Sequence, residues 1–328
     1  MSASSVSGLR GVPARLRDFV ARNDIFFILL VIGAIASLVS PAFLSARNLS
    51  NLLTQSALLG ILSVGQFLVV ISGGFDLSVA AVMALSSVVL ASNAAIGLAP
   101  AALLAVAVGL GCGGFNGIVV TIGRVVPLIA TLAMIGIARG LAFSISERSI
   151  LVRDPLLDTL RRADGFLSLP TMIWFAVVIV AVVWFRTTRQ ALHLYAIGGN
   201  EQTARLAGVA VNMVKLGVYS ISGLLSGIAG VVLVIRSSSG VPLGGIGWEL
   251  DSIASIVIGG TNLFGGEGSL LHAMAGVLIY QMIANIMNLT GVDPYYQNIL
   301  RAAVIIVAVG LSILRQRAAS RRMILGRT

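Results

Sequence analysis

The sequence predicts an all-α, polytopic integral membrane protein with about ten transmembrane helices. Of its 328 residues, 57% are hydrophobic and only 10% are charged, whereas soluble domains carry about 25% charged residues. The mean hydropathy is +1.01. Apolar runs recur from residue 25 to residue 314, and many are long enough to cross a bilayer core of about 30 Å. So few charges cannot cover a water-exposed surface, and we therefore predict one membrane domain rather than two soluble ones.

The predicted spans follow one another with short connections between them. The stretch 77–123 is uncharged but too long for one span, and Gly-Leu-Ala-Pro at 97–100 divides it into two because Gly and Pro interrupt helices. The stretch 252–263 is shorter than the roughly 20 residues that a crossing helix needs, which indicates a broken or re-entrant segment. In chain order the ten spans are 25–46, 48–75, two within 77–123, 125–146, 165–185, 216–235, 252–263, 268–288 and 298–314.

The basic residues indicate the orientation, because cytoplasmic loops carry an excess of Lys and Arg. Four Arg precede residue 25 and five follow residue 314, so we expect both termini in the cytoplasm, which requires an even number of spans. The connection at 186–215 then faces the cytoplasm. The connection at 147–164, whose charges sum to zero, faces outside. The predicted organisation is a cytoplasmic tail at 1–24, a transmembrane domain at 25–315 and a basic cytoplasmic tail at 316–328.

Several kinds of chemistry lack their residues in this sequence. A P-loop needs Gly-Lys-Ser/Thr, but the single lysine, Lys215, lies between Val and Leu. His193 and His272 have no metal-ligand pattern around them, and Cys112 has no second cysteine with which to form a disulfide. The net charge is +10, but the basic residues form no patch interleaved with aromatic residues, which argues against nucleic-acid binding. We expect no enzymatic activity, no metal and no cofactor on this chain.

A short charged segment, 197–209, interrupts two apolar runs. Asn200 is suited to cap a helix by accepting from backbone N–H groups two or three residues on. Glu201 then lies near the positive end of the helix dipole, and Arg205 follows four residues later on the same face. Gly208 is suited to end the helix. The pattern predicts a helix of about two turns on the cytoplasmic side, and the residues alone equally allow a solvated loop with incidental caps.

Polar groups within the predicted spans are candidates for a substrate path. Asp76 follows a Gly-Gly pair, as at the broken helices of transporters, or alternatively caps the next helix. The amides also fit hydrogen bonds between helices. Arg139 costs about 2.5–3.5 kcal/mol at a helix centre, so we expect it to snorkel outward or pair with a neighbour. The candidate path residues are Gln66, Asp76, Asn116, Asn285 and Asn288.

Glycine patterns indicate close helix packing and an internal echo. Small residues at intervals of four let helices approach closely, so we interpret them as packing seams without specificity for substrate. The sequences GGFDL at 73–77 and GGTNL at 259–263 each follow one apolar run and precede another. The echo is compatible with an internal repeat of the kind found in transporters. The spaced glycines are Gly109, Gly113 and Gly117 in one group and Gly223 and Gly227 in another.

Four stretches of the sequence carry a resemblance to a known family. They are GGFDLSVAAVMALSS (73–87), TLAMIGIARGLAF (131–143), IGGNEQTARLAGV (197–209) and ELDSIASIVIGGTNLFGGEGSLLHAMAGVLI (249–279). Together they resemble the permease subunits of ATP-binding-cassette (ABC) importers for ribose and related monosaccharides, over about residues 25–315, nearly the whole chain. The most specific motifs are GGFDLS and GGTNLFGGEGS in this order and separation. Family members often have Gly after Asp-Leu-Ser-Val, where this chain has Ala80, and this departure concerns local helix packing.

The resemblance implies a type II (vitamin B12-type) importer permease fold in the bacterial inner membrane. It implies a cytoplasmic ABC ATPase, which binds ATP and Mg²⁺, a periplasmic sugar-binding protein, and a second permease chain that is either identical or related. The family contacts its ATPase through a short cytoplasmic helix, which residues 198–208 match. The residues that the resemblance assigns to this coupling are Gly198, Gly199, Asn200, Glu201, Ala204, Arg205 and Gly208.

The expected function is import of a monosaccharide or a related small polyol by ATP-driven alternating access. We expect the outer connection 147–164, with Arg161 and Arg162, to form part of the surface that docks the binding protein. The alternative is an ion-coupled secondary transporter of small polar solutes, which usually needs buried acids and has only Asp76 to offer. An intramembrane enzyme would need a reactive constellation that the sequence lacks. A structural membrane scaffold is excluded by the resemblance alone.

Overall fold

The computed structural model describes residues 24–162 and 166–300, together with residues 302, 303, 306, 307 and 310. The predicted tail 316–328 and nearly all of the predicted tail 1–24 lie outside the described residues. Residues 294–300 are helical, and much of the last predicted span, 298–314, lies beyond them.

Helices dominate the described residues, which confirms the predicted all-α class. Two short strands and a 3-10 turn at Ala94–Ile96 are the other regular elements in the described ranges. In chain order the elements are α1 (Asp24–Val39), α2 (Ala46–Ile71), α3 (Val79–Ser92), α4 (Leu98–Thr121), α5 (Pro127–Ile145), β1 (Ile150–Leu151), α6 (Pro155–Arg162), α7 (Leu169–Thr187), α8 (Arg189–Gly199), α9 (Glu201–Leu206), α10 (Val211–Ser237), β2 (Ser239–Gly240), α11 (Trp248–Ile258) and α12 (Leu270–Leu289).

Six helices within the described residues are long and apolar enough to cross a membrane, namely α2, α4, α5, α7, α10 and α12. Two further apolar helices, α1 and α3, are shorter. The helix break that the sequence predicts at 97–100 is present, because Gly97 has a positive φ of 103° and α4 begins at the next residue. The count of ten spans and the type II fold stay predictions.

Helix α2 lies at the centre of the molecule, with α7, α10, α11 and α12 packed around it. Its most apolar 18-residue stretch is 89% buried, whereas that of α7 is 17% buried. The outer faces of α4 and α5 are also largely open. Because lipid tails are as apolar as leucine, such open faces are stable in a bilayer.

The spaced glycines form a seam between α4 and α10, as the sequence predicts. Gly113 lies against Gly223, and a Cβ at position 113 would come 2.8 Å from the Gly223 Cα. Gly109 lies against Gly227 in the same way, one helical turn along. The two backbones are therefore in direct contact, and no side chain larger than hydrogen fits between them at these positions.

At the end of the molecule opposite α9, hydrogen bonds to backbone groups join segments that are far apart in the sequence. Strand β1 pairs with β2 in antiparallel orientation, with Ile150 opposite Gly240. The guanidinium of Arg139, in α5, donates to the carbonyl oxygens of Pro242 and Gly244, the latter at 2.9 Å. Of the two expectations for Arg139, pairing with a neighbour is the one observed, and its partners are carbonyl groups of the loop after β2.

Candidate functional site

The charged segment contains a short helix, α9, which begins and ends as predicted. The Asn200 side-chain oxygen accepts from the Thr203 backbone N–H at 2.9 Å, three residues on. After the last helical residue, Leu206, Gly208 adopts a positive φ of 84°, and its N–H donates to the Arg205 carbonyl. The six-residue helix is slightly shorter than the two turns expected from the sequence.

Glu201, the first residue of α9, forms ion pairs with two basic side chains. Arg205 contacts it at 3.1 Å across one turn, which is the predicted i, i+4 pair. Lys215, in the first turns of α10, contacts its other carboxylate oxygen at 2.5 Å. The Lys215 hydrogen bond is the main reason that the pKa of Glu201 lies below its usual value, although partial burial opposes this shift.

An apolar cluster fastens α9 to its two neighbouring helices. Ala204 is buried against Ile197 of α8 and Val211 of α10, with Val209 and Val214 packed beside them. The other side chains of α9, including those of Arg205 and Leu206, are exposed. The result is a helix with one apolar attachment and an open, mostly polar outer surface, which is suited to contact with another protein.

Backbone contacts join this segment to two distant parts of the chain. Gly198, in the last turn of α8, lies against the Ile71 carbonyl at the end of α2 and against the Gly266 N–H in the loop between α11 and α12. The Gly266 N–H also donates to the Ile71 carbonyl at 3.0 Å. In addition, the Tyr195 hydroxyl of α8 donates to the Gly268 carbonyl at 3.0 Å. Three chain segments therefore meet directly behind α9.

Asp76 lies in the turn between α2 and α3 and is almost fully buried. One carboxylate oxygen accepts from the backbone N–H and the hydroxyl of Ser78, at 3.0 and 2.6 Å. The other accepts from the Ser222 hydroxyl of α10 at 2.7 Å. Asn116 of α4 extends the network by donating to Ser78 at 3.0 Å. Asp76 therefore shapes the turn just before α3 and joins α10 through a buried hydrogen bond, while its place in a substrate path stays a prediction.

The other candidate path residues lie apart from Asp76. Asn285 and Asn48 exchange two hydrogen bonds, of 2.9 and 3.0 Å, at the opposite end of α2. Asn288 is exposed near the end of α12 and accepts from Gln297. Gln66 is fully buried, and neither polar atom of its side chain has a partner within the described part of the chain. The structure therefore groups Asp76 with Asn116 and places the other three elsewhere.

Both copies of the sequence echo lie at a helix stop, but in registers that differ by one residue, since the stop uses the first Gly of one pair, Gly73, and the second Gly of the other, Gly260. After α2, Gly73 takes a positive φ and the next N–H reaches back five residues to the Val69 carbonyl. After α11, Gly260 does the same, followed by a bond from Thr261 to Ile256. These are Schellman ends, which favour Gly in the left-handed conformation. The chain then diverges, because α3 starts directly after the first stop while an extended loop follows the second.

One helix and two contacts of the site were not predicted from the sequence. The helix is α8, although its buried residues Ala191, Leu194 and Ile197 recur at a helical spacing that the sequence displays. The pairing of Lys215 with Glu201 and the meeting of Gly198 with Gly266 join residues far apart in the chain, for which no local signal exists. The side chains of Arg161 and Arg162, predicted to dock a partner, lie outside the described residues.

Residues 24–162 and 166–300 contain no group of three or more His, Cys, Asp or Glu side chains placed to hold a metal ion. The groups that the segment around α9 does offer are a carboxylate, a guanidinium and amides on an exposed helix. Such groups are suited to polar contact with a protein surface.

Comparison with known proteins gives consistent matches over most of the chain. The family described as "Branched-chain amino acid transport system / permease component" matches residues 48–309. The ribose import permease protein RbsC of Escherichia coli (strain K12) is 38% identical over 323 residues, covering 94% of this chain and 98% of that protein. The D-allose transport system permease protein AlsC of the same strain is 36% identical over 305 residues, covering 91% and 94%. The L-arabinose ABC transporter permease protein AraH of Azospirillum brasilense is 35% identical over 310 residues, covering 90% of each chain. No solved structure matches.

Proposed function

We propose, since this chain belongs to the family of branched-chain amino acid transport system permease components, that it is the permease subunit of an ABC importer for a sugar. The three relatives described above are named for ribose, D-allose and L-arabinose. All three ligands are monosaccharides, which favours a monosaccharide or a related small polyol over an amino acid. The chain is a multi-pass membrane protein, and we place it in the bacterial inner membrane with both termini in the cytoplasm.

The observation that carries the proposal is the construction of α9. It is capped, paired through Glu201 to two cations, and fastened by Ala204 to α8 and α10. A helix that is firmly attached to the transmembrane helices and exposed on its outer face is suited to bind another protein and to be displaced by it. We assign this role to a cytoplasmic ABC ATPase, which binds ATP and Mg²⁺ and closes on the α9 surface.

The transport step follows from this attachment. When the ATPase moves α9, the helices fixed to it tilt, and a cavity between two permease chains opens to one side at a time. Rigid-body gating of this kind needs no titrating group in the path. Sugar hydroxyls need only hydrogen bonds from weakly polar walls, so high affinity is left to a periplasmic binding protein.

We place the binding protein at the opposite end of the molecule from α9. Strand β1 and helix α6 lie there, within the connection 147–164. Strand β2, which pairs with β1, lies there directly after the end of α10. This connection is rich in charge and neutral in sum, which suits specific docking rather than general attraction of ions. Reversing Arg161 and Arg162 to Glu is expected to reduce uptake that depends on the binding protein, and unchanged uptake would remove this connection from the docking surface.

Co-purification tests the proposed function directly. The chain carries a C-terminal tag and is purified gently from its native membranes, and co-eluting proteins are identified by mass spectrometry. We expect a cassette ATPase with the wild type, and its loss with Glu201→Arg and Arg205→Glu. Arg148→Glu, exposed at the other end of the molecule, is the matched charge control and keeps the ATPase. Recovery of the chain without any ATPase, while its transport survives ATP depletion, would favour the ion-coupled secondary transporter instead.

A further inference from the structure

We propose that four glycines, Gly73, Gly198, Gly265 and Gly266, form a junction that transmits the movement of α9 to the centre of the molecule. We call this set the glycine junction. It joins the last turn of α8, the end of α2 and the loop between α11 and α12. The inference rests on the proposed function, because it names the residues through which an ATPase bound to α9 would act.

The backbones at the glycine junction are packed too closely to admit side chains. A Cβ at position 198 would overlap the Ile71 carbonyl oxygen and the Gly266 nitrogen. A Cβ at position 265 would lie 2.9 Å from the Cα atoms of both Gly198 and Gly73. A Cβ at position 266 would lie 2.8 Å from the Gly199 Cα. Since real Cβ atoms do not approach this closely, the three backbones are in direct contact and leave no room for a side chain at positions 198, 265 and 266.

The second support is hydrogen bonding across the same contact. The Gly266 N–H donates to the Ile71 carbonyl at 3.0 Å, which ties the loop to the end of α2. The Tyr195 hydroxyl donates to the Gly268 carbonyl at 3.0 Å, which ties the same loop to α8. The loop is braced internally by the Asn262 carbonyl, which accepts from the Gly265 N–H at 3.1 Å. Each of the three segments is therefore bonded as well as packed.

The third support is mechanical. A contact between long side chains absorbs a small displacement by changing rotamers, but a contact between backbones has no rotamers to change. A close-packed interface moves as a body or switches as a whole. Movement of α9 and the end of α8 is therefore passed to α2 and to the loop that positions α11 and α12. The end of α2 leads on to Asp76, whose carboxylate accepts from Ser222 of α10.

A matched pair of Gly→Ala substitutions tests the junction. Gly198→Ala places a methyl group inside it, while Gly217→Ala places one where no atom of the described residues lies within 4 Å. Gly198 lies in α8 and Gly217 in α10, and neither has a positive φ. The full complex is co-purified, reconstituted in liposomes, and measured for ATP hydrolysis and for uptake of D-ribose, D-allose and L-arabinose. The readout is the number of sugar molecules imported per ATP.

We expect the Gly198→Ala variant to retain its bound ATPase. We expect the number of sugar molecules imported per ATP to fall at least about fivefold, which corresponds to the loss of a typical coupling free energy. Gly217→Ala is expected to stay within about twofold of the wild type, as substitutions that disturb no packing do. A folded Gly198→Ala complex with the wild-type ratio would overturn the inference. If wild-type chain brought down no ATPase at all, the proposed function would fail instead, and the two failures are distinguishable.

Tyr195→Phe keeps the test decisive if Gly198→Ala does not fold. This change removes one hydrogen bond at the edge of the glycine junction and adds no volume. We expect a smaller drop in sugars imported per ATP, about twofold to fivefold, with the ATPase still bound. Thr187→Val, which removes an exposed hydroxyl that bonds only within its own helix α7, is the control. A wild-type ratio for Tyr195→Phe would contradict the junction.

Discussion

Glu201 forms ion pairs both within α9 and between α9 and α10. Its two partners differ in exposure, since the side chain of Arg205 is 53% exposed and that of Lys215 is 15% exposed. Exposed ion pairs contribute about 0–1 kcal/mol because water and salt screen them. The more sheltered pair with Lys215 connects α9 to α10, whereas the pair with Arg205 remains within α9.

Double-mutant cycles are expected to rank the two pairs. We expect the coupling free energy of Glu201 with Lys215 to be about 0.5–1 kcal/mol, and that of Glu201 with Arg205 to be about 0.3–0.5 kcal/mol. The measurement is thermal unfolding in detergent of the single variants Glu201→Gln, Lys215→Met and Arg205→Met and of the two doubles. A larger coupling energy for the Arg205 pair would contradict this ranking.

The same pair sets a pH dependence with a definite sign. The pKa of Glu201 in the folded protein lies below its ordinary value of 4.5, mainly because Lys215 donates to its carboxylate. A lowered pKa means that the stabilisation is complete above the ordinary value and is lost as the pH falls through the lowered one. We therefore expect no change in the Lys215 coupling energy between about pH 6 and 8, and its progressive loss as the pH falls below the ordinary value of 4.5.

Asp76 illustrates a buried carboxylate whose structural role can be tested apart from transport. Replacing it by Ala leaves the Ser78 N–H and the Ser222 hydroxyl without their acceptor, at a cost of about 1–3 kcal/mol for each buried group. We expect a clear drop in the melting temperature in detergent for Asp76→Ala. Glu147→Ala, at an exposed position of the outer connection, is expected to change it little. Equal melting temperatures for the two variants would refute the network.

At the scale of elements, the seam between α4 and α10 distinguishes glycines that pack from glycines that do not. Gly113 touches the α10 backbone, while Gly111, two residues away on the same helix, has no atom of the described residues within 4 Å of the place a Cβ would take. Helix interiors favour Ala over Gly by about 1 kcal/mol where there is room. The two positions therefore have opposite expected responses to the same substitution.

We expect Gly113→Ala to destabilise the protein by about 1–3 kcal/mol, because overpacking forces α4 and α10 apart. Gly111→Ala is expected to be neutral or to stabilise it by up to about 1 kcal/mol. Thermal unfolding of the two variants in the same detergent provides the comparison. If both lowered the melting temperature equally, the assignment of the seam to Gly113 would be wrong.

Elements were predictable where their signal is local. The cap at Asn200, the Glu201–Arg205 pair and the break before α4 depend on residues within a few positions of one another, and all three are present. Helix α8 was missed because a single residue, Thr188, separates it from the end of α7, so the sequence shows no gap between the two helices. The short helix α11 overlaps the segment 252–263 that the sequence had marked as broken or re-entrant, but it begins four residues before that segment and ends within it.

At the scale of the whole molecule, composition predicted a polytopic helical membrane protein, and the fold class and the family agree with it. What composition and spacing could not predict is which distant segments meet. The contact of Gly198 with Ile71 and Gly266 joins positions far apart in sequence. So does the exchange of hydrogen bonds between Asn48 and Asn285. Such contacts are decided by the packing of all helices together, and no local pattern encodes them.

The topology predicted from charge also has a structural counterpart at this scale. The segments predicted to share the cytoplasmic side, at the end of α2 and around α9, do lie together. The connection predicted to face outside pairs through β1 with the segment after α10, at the other end of that helix. The arrangement places the surface proposed for the ATPase and the surface proposed for the binding protein at opposite ends of the molecule.

We propose that this chain moves sugar only when an ATPase acting on α9 drives it. Uptake of labelled D-ribose, D-allose or L-arabinose is measured in liposomes that contain the purified chain, with and without its co-purified ATPase, a binding protein and ATP. We expect uptake of at least one sugar that requires hydrolysable ATP and is insensitive to a protonophore. Uptake by the chain alone that a protonophore abolishes would contradict it and identify an ion-coupled transporter.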